Sequence, residues 1–401
     1  MQMKSRNSGA AGEGSAAGQE QMKPVEQAER ETLMMELSRR VQETVRHSSW
    51  WERRGIDCTI LTAAFISLPA GFLLLSSSEP LCFLLGLLIM GFAHAAITVK
   101  GTHLASHGAL SESPAWTDFW AIFFIEVCGS FSARAGVQAH VKMHHAHTNV
   151  IGLGDSSTWK IPFLPRSIYL FIAPLAVPII TPIVAFGQLK GQSVFQIVRT
   201  VACVCVGFFS QYYLLRSVSG LSWSSALIVM HLCRAMFSLP YIHVNIFQHI
   251  GLPMFSATSR PKRIYQMTHG VLNLPRNPLL DWTFGHSLIN CHVEHHLFPF
   301  LSDNMCLKVK PIVCEYLQEK KLPYQEDAYL SRLRVTVIMQ GQHGGLTARR
   351  SLVRVPAGPV GISVWSLHVL PVLAWVSSRC FGFPNSPNTC AVGELGKLNW
   401  Q

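Results

Sequence analysis

The sequence predicts an all-α membrane protein with about four transmembrane helices. Hydrophobic residues make up 49% of the 401 residues and charged residues only 14%, whereas charged residues make up roughly 25% of an ordinary soluble domain. Four apolar runs come close to the ~20 residues that a helix needs to cross a bilayer. They cover about 58–76, 81–99, 194–215 and 226–246. We therefore expect an integral, multi-pass protein.

Basic residues indicate the orientation of the first two runs. The turn between them reads S-S-S-E-P and contains no Lys or Arg, whereas Arg53, Arg54 and Lys100 flank the opposite ends. Since positive charge accumulates on the cytosolic side, the turn is expected in the lumen and the N-terminus in the cytosol. The net charge of +11 is then explained by topology and attraction to anionic membrane lipid, and no nucleic-acid partner is expected.

Three histidine clusters lie among the apolar runs. Their motifs are T-H-L-A-S-H-G, H-V-K-M-H-H and H-V-E-H-H-L-F-P. The clusters comprise His103 and His107; His140, His144 and His145; and His292, His295 and His296. In H-x-x-x-H the two rings share one face of a helix, and each adjacent second histidine could reach a neighbouring metal. Each cluster is therefore expected to serve both metals.

The number of imidazoles indicates how many metal ions they bind. Eight imidazoles are twice what one tetrahedral zinc ion needs. They suit two five- or six-coordinate ions that share one site, which is the count of a di-iron centre. The 11 cysteines form no C-x-x-C pair, so we expect reduced thiols and a ligand set of imidazoles alone.

A shared site requires all three clusters on the same side of the membrane. The short apolar stretch 116–128 is therefore predicted to be interfacial or re-entrant, so that the second cluster returns to the side of the first. The stretch 168–186 contains Pro174, Pro178 and Pro182. Because proline removes helix hydrogen bonds that lipid cannot replace, we predict that this stretch does not span, which leaves four crossings.

The chain divides into three expected parts. Residues 1–49 form a disordered and then amphipathic segment, in which a helix over 25–46 either lies at the membrane interface or is an ordinary soluble helix. Residues 50–339 form the membrane domain with its histidine clusters. Residues 340–401 form an atypical tail that is expected to be poorly ordered, and its apolar patch at 360–376 is interrupted by Gly361 and Pro371.

With these motifs, residues 50–335 resemble the membrane fatty acid desaturases. The matching pieces are G-T-H-L-A-S-H-G, H-V-K-M-H-H-A-H-T-N-V and C-H-V-E-H-H-L-F-P. The resemblance implies an O2-dependent oxidoreductase of the endoplasmic reticulum that introduces a double bond into a fatty acyl lipid. It also implies that the eight histidines hold two Fe2+ ions on the cytosolic side, where zinc can substitute in a purified sample.

One branch of this family adds a ninth histidine, preceded four residues earlier by an asparagine that holds a metal-bound water. Asn245 and His249 in H-V-N-I-F-Q-H match that pair in spacing. The alternative for both residues is that they are a polar pair at a helix end. His147, His243 and His286 match no ligand position and are expected to be structural or to support the ligands.

Departures from the family bear on its partners. No H-P-G-G motif of a fused cytochrome b5 is present, so no fused haem is expected, and electrons would come from separate cytochrome b5 and its NADH reductase. A basic face could dock such an acidic carrier. It comprises Lys142, Arg260, Lys262, Arg263, Lys308 and Lys310. Two alternatives stay open, namely a di-iron lipid hydroxylase and a non-catalytic membrane adaptor that retains the histidines.

Overall fold

The computed structural model describes the backbone of residues 24–154 and 165–346, with side chains from 33 to 337 apart from that gap and Arg166. The predicted disorder at the N-terminus, the patch at 360–376 and most of the predicted tail lie outside the described residues. The described part of the chain is helical and contains no β-sheet, only isolated bridges. This architecture confirms the predicted all-α class.

In the part of the chain that the structure describes, four helices are long and apolar enough to cross a membrane, as the sequence predicts. They are α2 (Trp51–Leu74), α3 (Pro80–Ser106), α8 (Val194–Ser217) and α9 (Trp223–Phe247). The first two form a hairpin in which Gly86 packs closely against Leu74 and Leu75. Gly207 of α8 lies so close to the carbonyl of Val127 that a Cβ there would be 1.9 Å from its oxygen, so only glycine permits this approach.

Between the two pairs of spans, helices α4 (Pro114–Cys128) and α5 (Ala133–His145) meet at a bend of 106°. The buried carboxylate of Glu126 holds the bend, because it accepts hydrogen bonds from Arg199 at 2.8 Å, Thr200 at 3.0 Å and the backbone N–H of Ala133 at 3.2 Å. The geometry fits either the predicted re-entrant segment or a broken span. Helices α6 (Arg166–Phe171) and α7 (Ala173–Gly187) follow, and α7 is too short to span, as predicted.

The remaining helices form a cap over one end of the spans. The cap comprises α1 (Pro24–Arg46), α10 (Arg263–Gly270), α11 (Pro278–Thr283), α12 (His292–Leu297) and α13 (Asp303–Glu319), and α14 (Tyr329–Leu346) follows it. In α1, Leu37 and Val41 are completely buried in one cluster with Tyr316 and Leu317 of α13. These contacts favour the interpretation of α1 as an ordinary soluble helix that packs on the cap over its interpretation as a helix at the membrane interface.

Four short π-helical turns interrupt the α-helical geometry of the described residues, and the sequence did not predict them. They are Trp51–Gly55, Ala96–Gly101, Ile122–Cys128 and Gln138–His145. A π turn inserts one residue into a helix and brings side chains five apart onto one face, and such turns are frequent at functional sites. Two of the four directly precede or contain a histidine cluster.

Candidate metal centre

Nine of the described histidines converge between the ends of the spans and the cap. They form two groups, and within each group the candidate ligand atoms all lie within 4.8 Å of one another. Group one comprises His103, His107, His140, His145 and His295, and group two comprises His144, His249, His292 and His296. The groups adjoin, since the rings of His145 and His296 are 4.3 Å apart. Every histidine predicted as a ligand lies in one of these groups.

The histidine clusters do not divide between the groups as the sequence suggested. Both histidines of the first cluster lie in group one, an arrangement that gives no support to the expectation that this cluster serves both metals. In the second cluster, the π turn pairs His140 with His145, whose Nε2 atoms are 3.3 Å apart. His144, which α-helical spacing paired with His140, instead faces group two.

In group two, hydrogen bonds fix which ring nitrogen points inwards. The Nδ1–H of His249 donates to the carbonyl of Gly270 at 3.2 Å, and that of His292 donates to the carbonyl of Ser287 at 2.9 Å. The Thr148 hydroxyl donates to the His144 carbonyl, so it accepts from Nδ1–H of His296 at 3.1 Å. Each of these rings therefore presents an unprotonated Nε2 to the centre of the group.

The same argument applies to one ring of group one. The Ser287 hydroxyl donates a short hydrogen bond to Asp303, so it accepts from Nδ1–H of His103 at 3.2 Å. Ser287 thus supports one ring of each group, His103 through its hydroxyl and His292 through its carbonyl. Contacts of this kind orient metal-binding histidines and raise their basicity.

A fully buried ion triad holds Asp303 in place. The Lys100 ammonium lies 2.5 Å from a carboxylate oxygen of Asp303 and 2.8 Å from one of Asp57. The triad joins α2, α3 and α13. Gly285 leads into the Ser287 turn at φ +98°, and a Cβ there would lie 2.1 Å from Asp303, so glycine is required at this position.

The arrangement of nitrogens fits metal ions. The Nε2 atoms of His249 and His292 face each other at 3.1 Å with no hydrogen available to either, an arrangement that a bound cation would stabilise. Two nitrogens bound at right angles to one metal at roughly 2.1 Å lie about 3 Å apart. Among the described residues, Nε2 of His103, His107 and His296 and both nitrogens of His295 are buried without a hydrogen-bond partner, whereas buried polar groups are normally paired.

Burial also sets the protonation state of the rings in the cap. It lowers the pKa of His292 to about 3 and holds the pKa values of His295 and His296 well below the usual value. The rings are therefore neutral at pH 7, and neutral imidazole is the form that binds metal. The site is consequently expected to take up metal without first losing protons.

Helix α12 is held by a second polar cluster on the side away from the metals. Burial raises the pKa of Glu294 to about 7, and its carboxylate accepts hydrogen bonds from Tyr324 at 2.6 Å and Asn273 at 3.1 Å. The Asn273 side chain also accepts from the N–H of Val293 at 2.9 Å. The sequence did not predict this polar cluster, nor the roles of Ser287 and Asp303. Only Glu294 could have been found from the sequence, because it lies inside the third histidine motif.

The other predicted polar residues lie outside both groups. Asn245 donates to the carbonyl of Tyr241 at 2.7 Å, so its role toward a metal-bound water stays a prediction. His147 contacts Arg260, His243 bonds to Tyr329 and the Leu170 carbonyl, and His286 bonds to Asn290. These three are structural contacts, as expected.

Four spans with two adjoining groups of buried histidines define a multi-pass membrane protein with a site compatible with two metals. Residues 78–328 match the family model for fatty acid desaturase. The chain belongs to the fatty acid desaturase family, and this membership indicates an oxidoreductase that desaturates fatty acids.

Curated relatives extend the match over most of the chain. Fatty acid desaturase 6 of Bos taurus is 59% identical over 310 residues, which cover 77% of this chain and 91% of the relative. Fatty acid desaturase 6 of Mus musculus and of Homo sapiens are each 56% identical over 306 residues, which cover 76% of this chain and 90% and 86% of the relatives. No solved structure matches the chain.

Proposed function

We propose that this protein is an O2-dependent lipid desaturase of the endoplasmic reticulum membrane with a di-iron centre. The observation that carries the proposal is the pair of adjoining histidine groups, with five and four rings. The nine histidines would hold two Fe2+ ions, one in each group. When bound, the iron pair supplies the oxidation in which –CH2–CH2–, O2, two electrons and two protons give –CH=CH– and two waters.

The protein's own residues prepare this site by orientation and by exclusion of water. Thr148, Ser287 and Gly270 fix ring tautomers, as their hydrogen bonds require. His249, His295 and His296 are at most 1% exposed. A dry, preorganised pocket restricts side reactions of the oxidant. Asn245 lies four residues before His249 and is proposed to hold a metal-bound water.

The electrons are proposed to come from cytochrome b5 and its NADH reductase. Of the predicted basic face, Lys142 and Arg260 are exposed. Arg263, Lys308 and Lys310 instead make internal contacts, with the carbonyl of His296, with Glu52 and with the carbonyl of Asn290 respectively. We therefore expect a smaller docking patch around Lys142, Arg260 and Lys262, on the cytosolic side.

Reconstitution tests the activity. Purified protein with cytochrome b5, its reductase and NADH should convert a saturated acyl lipid into a product lighter by two hydrogens, seen by mass spectrometry. A product heavier by one oxygen would replace desaturation with hydroxylation. No product from protein that carries iron would favour the adaptor alternative. A variant with both His145→Ala and His296→Ala is the inactive control.

Orientation is tested separately with inserted tags. A tag at Ser259 is expected to be accessible from the cytosol and one at Ser77 from the lumen. Lumenal labelling at Ser259 would contradict the proposed cytosolic site.

A further inference from the structure

A second polar feature lies inside the membrane helices and has no part in the histidine groups. A cavity of about 100 Å³ opens between α3, α9, α7 and the bend that joins α4 to α5. Most of its wall is apolar, including Ile125, Phe131 and Ile242. Its wall also includes the guanidinium-bearing Arg234 and the imidazole-bearing His94, which an apolar chain end does not need.

Arg234 lies near the middle of span α9 (Trp223–Phe247). Its Nε donates to Gln211 at 2.8 Å, its Nη1 donates to Ser130 at 3.1 Å, and the guanidinium stacks 4.1 Å from the ring of Phe208. No carboxylate of the described residues forms an ion pair with it, and its Nη2 donates to none of their atoms. A guanidinium has five N–H donors, so part of its donor capacity faces the cavity.

Other cations of the membrane helices show what is unusual about Arg234. Lys100 has two carboxylate partners, and Arg199 is paired with Glu126. A charge at the bilayer centre is costly, and such residues normally pair with an opposite charge or mark the path of a ligand. Since Arg234 has no acidic partner among the described residues, an anionic ligand is the complement that its position requires.

His94 adds a second hydrogen-bonding group to the cavity. Its ring makes no hydrogen bond with any described residue, whereas the nearby hydroxyls of Thr98 and Ser238 donate to carbonyls of their own helices. The phenol of Tyr241 lines the cavity as well, and the side-chain nitrogen donors on the wall are those of Arg234 and His94. Both side chains can donate hydrogen bonds to an oxygen anion, whereas an alkyl group cannot accept them.

Arg234 also reaches the outer surface of the membrane helices. Arg234 and Pro178 line a separate groove on the outer surface between α7 and α9, together with apolar residues such as Ile179 and Leu227. Arg234 is half-buried because it faces this groove as well as the cavity. The two residues that the groove and the cavity share, Arg234 and Pro178, therefore separate the cavity from the outer surface of the helices.

We propose that this cavity is a subsite for the free carboxylate of a long-chain fatty acid, bound by Arg234 with His94 as second donor. This inference rests on the proposed desaturase function and names its substrate class. About 100 Å³ accommodates a carboxylate and a few methylenes but no coenzyme A or phospholipid headgroup. The wall reaches Thr102, which precedes His103, so the rest of the acyl chain would extend beyond this volume in the direction of group one.

Direct binding tests the subsite independently of turnover. The full chain in lipid nanodiscs is titrated with radiolabelled stearate, methyl stearate and stearoyl-CoA. We expect stearate to bind at least tenfold more tightly than its methyl ester, and Arg234→Gln to remove that preference while leaving methyl stearate unchanged. Arg234→Lys should retain part of it. Arg216→Gln, an arginine on α8 outside the cavity, is the matched control and should change nothing.

Several outcomes would overturn the proposal. Equal binding of stearate and its ester by the wild type would do so, as would an Arg234→Gln variant that keeps the preference or loses both ligands equally. If the Arg234→Gln variant fails to fold, two measurements still test the proposal. One is the comparison of stearate with methyl stearate in the wild type, and the other is His94→Phe, which should weaken the binding of stearate but not that of methyl stearate. If stearate binds as expected but no desaturated product forms, the proposed function fails and the subsite stands. If stearoyl-CoA is desaturated and stearate is not, the proposed function stands and the subsite fails.

Discussion

The two histidine groups adjoin, but their surroundings differ. In group two, every ring is hydrogen-bonded on its outer side. The partners are the backbone at Gly154 for His144, Gly270 for His249, Ser287 for His292 and Thr148 for His296. In group one, the structure gives such a partner to His103 through Ser287. By contrast, Nδ1 of His145 and both nitrogens of His295 are buried with no hydrogen-bond partner among the described residues.

This difference indicates that the histidine rings of group two are more preorganised for metal binding than those of group one. Outer hydrogen bonds fix the tautomer and orientation of a ring before metal arrives, and their loss typically costs 10–100-fold in metal affinity. We therefore expect group two to bind its metal more tightly than group one. Four predictions test this comparison.

The largest effect is expected from removal of a ligand. His145→Ala takes an imidazole from group one and His296→Ala takes one from group two, so each should reduce the metal content from about two ions per chain to one or fewer. Product formation should fall to background in both. The measurement is elemental analysis alongside NADH-dependent turnover, with His231→Ala in α9 as the control.

His249→Ala is the deciding variant of this series. As a ligand, its loss empties group two; as a helix-end residue, it costs only stability. Retention of both metals and wild-type turnover would remove His249 from the site. The same result for His145→Ala and His296→Ala would refute the di-iron assignment.

The second effect concerns the triad that holds Asp303, on which the Ser287 support of both groups depends. Lys100→Met leaves two buried carboxylates without their cation, and breaking such a buried pair costs about 3–5 kcal/mol of unfolding free energy. Arg53→Met is the control, because Arg53 pairs with Glu112 at an exposed site and should cost about 1 kcal/mol or less. Equal unfolding midpoints for the two variants would show that the triad is not stabilising.

Metal removal tests the comparison itself. A chelator added to the holoprotein should release metal in two phases, and the faster should come from group one, by roughly tenfold or more. The ligand variants identify the phases. His145→Ala should retain the slow phase and His296→Ala the fast one, and the reverse assignment would contradict the difference between the groups.

The smallest effect is expected from single outer contacts. Ser287→Ala removes the hydroxyl that supports His103 but keeps the carbonyl that supports His292, so only the fast phase should accelerate, by about tenfold. Thr148→Val removes the hydroxyl that supports His296 and should accelerate only the slow phase. Ser287→Thr, which keeps a hydroxyl, should restore the wild-type rate. Acceleration of both phases by either variant would indicate a general loss of structure.

The sequence by itself determined the four spans and the histidines that converge. Both are local properties, since span length follows from a run of apolar residues and ring spacing follows from neighbours on one helix. Prolines in 168–186 likewise marked the segment that does not span. The ninth histidine, by contrast, was predicted from the resemblance to one branch of the family, whose asparagine–histidine spacing Asn245 and His249 match.

Only the tertiary structure decided how the histidines divide and what supports them. The π turn at Gln138–His145 depends on packing, and it moves His144 to the group opposite His140. Ser287 lies 184 residues from His103, and Asp303 lies 203 residues from Lys100. Arg234 became a candidate ligand-binding residue only when the fold placed it on the wall of a cavity, with no acidic partner among the described residues. No local pattern encodes a contact between distant segments, because the folded chain brings them together.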